Sequence, residues 1–94
     1  MNPQYQEFLS EALVADQARI GGQQYDVVIV SGESDEIHFI REDEGLEFET
    51  IVDPSSVHRI ATGIWAFLDL NSGLEEVCQL QVLHPLTSED IKHE

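Results

Sequence analysis

Apolar and polar positions recur with two different periods along this 94-residue chain, and each period predicts a different element. Tyr5, Phe8, Leu9, Ala12 and Leu13 follow a 3.6-residue spacing behind Asn2-Pro3. Asparagine as a cap and proline at the first helical position start a helix, and Gly21-Gly22 is the expected stop. Glu7 and Glu11 fall one turn apart on the opposite, solvated face.

From Tyr25 the period changes. The run Tyr25 to Val30 is β-branched and too short for an independent helix, so it predicts a largely buried strand. Residues 36–42 and 46–52 then alternate with period two around Asp43-Glu44-Gly45, which predicts a hairpin. Ile37 and Phe39 take one face with Leu46, Phe48, Thr50 and Val52; His38, Ile40, Glu47 and Glu49 take the other. Asp53-Pro54 reads as a second cap and helix start. Val57, Ile60, Ala61, Ile64, Phe67 and Leu68 line up as an apolar stripe beyond it, with Trp65 at its edge.

Residues 74–83 are ambiguous. Cys78, Leu80 and Val82 alternate with Gln79 and Gln81 as in a strand, whereas Ser72-Gly73-Leu74-Glu75 matches a helical capping box. Sustained alternation and the nearby Pro85 favour the strand. Residues 87–94 are expected to form a frayed tail. The sum is a single α+β domain over residues 1–94, in the order α-β-β-β-α-β. It has a mostly antiparallel sheet of about four strands, with helices packed on one face.

Composition changes the picture in one respect. The net charge is −15, with nineteen carboxylates against three arginines and one lysine. Nine acids lie between Glu33 and Asp53 against Arg41 alone. A hydrophobic content of 41 % still suffices for a core, which argues against disorder. Cys78 is the single cysteine, so no intrachain disulfide forms, and a reducing, cytoplasmic setting is the simplest expectation. The opening residues lack a basic start and an apolar signal core. So many anions should also repel nucleic acid and anionic membranes.

Candidate chemistry follows from where the acids stand. Glu33, Asp35 and Glu36 enter the hairpin, Glu42, Asp43 and Glu44 sit at its turn, and Glu47 and Glu49 share a strand face. Held rigidly, such a row imitates part of a phosphate track and attracts a basic groove by long-range steering. The expected function is a non-catalytic inhibitor that binds the basic nucleic-acid-binding surface of a protein or nuclease. Anti-restriction, anti-CRISPR and nuclease-immunity proteins are of that type, and several are phage-encoded. Two plainer readings of the charge are a solubilising surface and adaptation to high salt, where screening shortens to about 3 Å at 1 M.

The alternative from another class is an adaptor or assembly subunit that uses the apolar helix 54–71, including as a homodimer contact. Neither a metal centre nor a cofactor is expected. Asp35, Glu36, His38, Glu47 and Glu49 offer ligand atoms, but EF-hand and HExxH spacings are missing and His38, His58, His84 and His93 are scattered. Catalysis is not expected either. Cys78 lies in an apolar alternation, and Ser55, Ser56 and Ser72 sit where caps and turns explain them.

Overall fold

A computed structural model describes residues 2–82. Helix α1 (Pro3–Val14) is capped by Asn2, whose side chain accepts the Gln4 N–H and also donates to the Pro54 and Val57 carbonyls at 3.0 and 2.9 Å. One side chain thus caps the helix and ties it to a segment more than fifty residues away. Seven strands follow: β1 (Gln17–Ile20), β2 (Gln23–Val30), β3 (Glu36–Asp43), β4 (Leu46–Ile51), β5 (His58–Ala61), β6 (Ile64–Leu68) and β7 (Glu75–Gln81). They form one antiparallel sheet in the order β4-β3-β2-β1-β7-β6-β5.

The sheet curls until its flanks meet. Val52, just past β4, bridges Asp69, just past β6. The Asp53 N–H donates to the Leu68 carbonyl and the Leu70 N–H to the Ile51 carbonyl, at 3.0 and 2.8 Å. Inside the curl lie Ile37, Phe39, Val52, Trp65, Phe67 and Cys78, and α1 adds Tyr5, Phe8 and Ala12. Phe8 is the hub, with ring centroids 5.1 Å from Trp65, 6.1 Å from Phe67 and 6.3 Å from Phe39.

Several expectations require correction. The sheet has seven strands and one α-helix, where about four strands with helices on one face were expected. The first helix stops at Val14, and residues 17–20 form β1. Gly21 and Gly22, both at positive φ (58° and 80°), turn the β1–β2 hairpin. A tight hairpin turn of this hand needs positive φ at both central residues, which glycine adopts without strain.

The larger correction concerns residues 54–71. They form a short 3₁₀ turn (Pro54–Ser56) followed by the β5–β6 hairpin, with no α-helix. Gly63, at φ 76°, is the turn itself, where a helical reading makes it an interruption. The same apolar run satisfies both periods, because β6 buries the consecutive residues Trp65, Ala66 and Phe67. Strand β2 is also less buried than expected. Its alternate residues Val28 and Val30 face out, since no element of the described residues covers that face of the sheet.

Other expectations hold. The β3–β4 hairpin turns at Glu44-Gly45, and its faces are as the alternation predicts, with Phe39 opposite Thr50 and Ile40 opposite Glu49. Residues 75–81 are a strand, with Cys78 inward. The expected frayed tail, His84 and His93 lie outside the described residues.

Candidate acidic interface

The outer face of β2–β3–β4 carries four of the eight acids singled out from the sequence, Glu36, Glu42, Glu47 and Glu49. Register places Asp26, Ile40 and Glu49 in one row across the three strands and Glu42 opposite Glu47 in the next. Strands lie about 4.8 Å apart and alternate residues about 6.8 Å along a strand, which fixes the lattice on which these charges sit. Glu42 and Glu47 are a directly opposed pair of like charges, an arrangement that weakens a hairpin. Glu44 stands beside them in the turn, whereas Asp43 points to the other face, toward Arg41.

The eight predicted residues do not form one patch. Glu33, Asp35 and Glu36 lie at the opposite end of β3 from Glu42, Asp43 and Glu44, about 24 Å away along eight extended residues. Asp35 lies beside α1, where its backbone carbonyl accepts the Tyr5 hydroxyl at 2.6 Å. Burial, with Asp35 and Glu36 close by, holds the Tyr5 hydroxyl above its ordinary pKa. This end also opens on a groove of about 390 Å³ between α1, residues 34–35 and the 3₁₀ turn.

Between the two ends stands an arrangement the sequence reading missed. His38 Nδ1 lies 2.6 Å from Glu49 Oε2, and its Nε2 lies 3.1 Å from Glu36 Oε1. Burial alone lowers the imidazole pKa, but hydrogen bonds and attraction from Glu49 and Glu36 outweigh it, so the net shift is upward. The i, i+2 spacing of Glu36 and His38 was legible; the cross-strand neighbour Glu49 needed the register. A raised folded-state pKa means that protonated His38 adds stability that is complete below the unfolded value near 6.5 and disappears as pH rises through the folded value. Urea midpoints should therefore be higher at pH 6 than at pH 8, and His38→Gln should flatten that difference. An unchanged pH slope in H38Q would contradict the role given to His38.

Arg41 and Arg59 are turned away from the outer face of the tip, and Arg19 lies on β1, separated from β3 by β2. Arg41 lies on the inner side of β3, its guanidinium 4.4 Å from the Phe48 ring centroid and 5.6 Å from that of Tyr25, with Asp43 at 3.7 Å. Arg59 lies 5.3 Å over Trp65 and 3.2 Å from Glu7. Each stacks its cation on an aromatic ring, leaving the outer-face carboxylates of the tip without a neutralising arginine.

Other candidate chemistry falls away residue by residue. Cys78 is fully buried, and burial pushes its thiol up to about 12, so it is protonated and inaccessible. Ser55, Ser56 and Ser72 hydrogen-bond to Asp53 and Asp69 in turns. Among the described residues no three His, Cys, Asp or Glu side chains are placed to hold a metal ion, and no helix is long and apolar enough to cross a membrane. The adaptor reading loses its contact helix: Val57, Trp65 and Phe67 are core, and Ile64 is half-buried in β6. Comparisons with protein-family models, curated proteins and solved structures find no match, so the geometry alone carries the functional reading.

Proposed function

We propose that this chain is a non-catalytic acidic binder that occupies a basic, nucleic-acid-binding surface on a cytoplasmic protein partner. The observation that carries the reading is the β3–β4 tip, where Glu42 opposes Glu47 beside Glu44 in the turn while Arg41 is drawn to the other face against Phe48, Tyr25 and Asp43. Clustered acids that repel one another across a hairpin are unfavourable for the isolated fold. A cationic partner relieves that repulsion, and the sheet holds the charges in place before contact, so little ordering is needed on binding. Steering by −15 charges raises the association rate with a basic groove and suppresses encounter with nucleic acid itself.

The test is competition together with charge reversal. A partner retained on the immobilised protein should be displaced by duplex DNA, and its affinity should fall at least about tenfold between 50 and 200 mM salt. The double variant Glu44→Lys, Glu47→Lys should lose capture while staying folded, because Glu47→Lys turns the repulsive cross-strand pair with Glu42 into an attractive one. Affinity that ignores both salt and DNA would remove the charge-driven reading.

A further inference from the structure

Beside the acidic tip, a cleft of about 330 Å³ opens between β4 and the turn that leads into β7. Its lining combines two aromatic residues, Tyr25 and Phe48, with the exposed Leu74 and with Glu76, while Glu47 borders it from the outer face of β4. Two further acids on its rim are already engaged. Glu49 holds His38, and Asp69 accepts the Ile51 and Asn71 amides and the Ser72 hydroxyl. The Glu47 and Glu76 side chains, by contrast, have no hydrogen bond or ion pair among the described residues.

We infer that this cleft receives an arginine side chain projecting from the basic partner, an inference that rests on the function proposed above. Three features select that occupant. An arginine brings an apolar stem that matches Leu74 and Phe48, and a planar fork that matches a carboxylate. The rings accept guanidinium in this very fold, because Arg41 already stacks at 4.4 Å from the Phe48 centroid. Phe48 nevertheless keeps 40 % of its surface exposed, so it has area left for a second cation. Arg41 does not repel the guest strongly, since Asp43 partners it and Asp69 and Glu76 leave the cleft negative. A second copy of this chain is a poor occupant by the same charge argument.

The experiment uses hexa-arginine and hexa-lysine peptides as probes, titrated at low salt into isotopically labelled protein and followed by amide chemical shifts. Hexa-arginine should perturb Phe48, Leu74 and Glu76 more than the tip at residues 42–44, and should bind several-fold more tightly than hexa-lysine. Glu76→Gln should weaken hexa-arginine about fivefold, the scale of one exposed ion pair. Phe48→Leu keeps apolar bulk and should erase the arginine-over-lysine preference, with spectral dispersion reporting that the fold is intact. Binding that maps to the tip and is indifferent to E76Q overturns the cleft but leaves the acidic interface standing. Failure of both peptides to bind at low salt overturns the cleft and the acidic interface together.

Discussion

Trp65→Ala should cost about 3–5 kcal/mol, a large share of the stability of a domain this size, and shift the urea midpoint sharply down. Trp65 is fully buried, its ring is tilted against Phe8 with centroids 5.1 Å apart, and its Nε1–H donates to Glu11 Oε1 at 2.9 Å. Truncation removes the largest side chain from the centre of the curl and strands a partly buried carboxylate. A domain of this size has only about 5–10 kcal/mol in total, and fifteen net charges already work against compaction. Trp65→Phe keeps the ring packing and loses the indole donor, so about 1–2 kcal/mol should separate it from the parent. Urea titrations followed by far-ultraviolet circular dichroism decide the matter. A W65A transition within about 1 kcal/mol of the parent's would mean that Trp65 is not the core residue described here.

The second large effect belongs to Asp69. This buried acid accepts the Ile51 N–H at 3.0 Å and the Asn71 N–H at 2.9 Å through Oδ1, and the Ser72 hydroxyl at 3.0 Å through Oδ2. Its backbone pairs with Val52, so it stands where β4 meets the far flank of the sheet. Alanine removes the acceptor of three part-buried donors on both sides of that junction and should cost about 2–3 kcal/mol. Asparagine keeps the carbonyl acceptor for both amides and should recover most of the loss. Amide hydrogen exchange at Ile51 gives a local readout, since its protection should collapse in D69A and persist in D69N. Equal damage from both substitutions would show that the acceptor geometry at Oδ1 is not what holds the junction.

Legibility in the sequence followed local uniqueness. The β3–β4 hairpin was readable because strict alternation and Glu44-Gly45 agree on one answer, and the cap at Asn2 was readable because Asn-Pro has few other uses. Residues 57–68 were not, since Val57, Ile60, Ala61, Ile64 and Phe67 satisfy the helical period by coincidence in a strand pair whose central run is buried on consecutive residues. Gly63 separates the two readings, since its positive φ suits a hairpin turn and not the interior of a helix. Gly21-Gly22 carried the same signal for β1–β2, with Ala18 and Ile20 alternating before it. The helical pattern upstream, however, ran on past its true end at Val14. For the interface, the residue types were visible and their grouping was not. Separation of Glu33 and Asp35 from the tip, the turning of Arg41 onto Phe48, and the link from His38 to Glu49 all depend on pairing register.

The pairing of β1 with β7 sets when this chain can fold. Ile20 sits beside Cys78 and Gln17 beside Gln81, so partners some sixty residues apart must find each other before the sheet is continuous. Loop-closure entropy is spent before those long-range contacts return anything, which places the domain among the slower folders of its size. During synthesis the β2–β4 meander can form early, but the helix and its aromatic hub have no complete enclosure until residue 81 has emerged. A nascent chain halted near residue 60 would therefore display an acidic hairpin joined to an unsealed core.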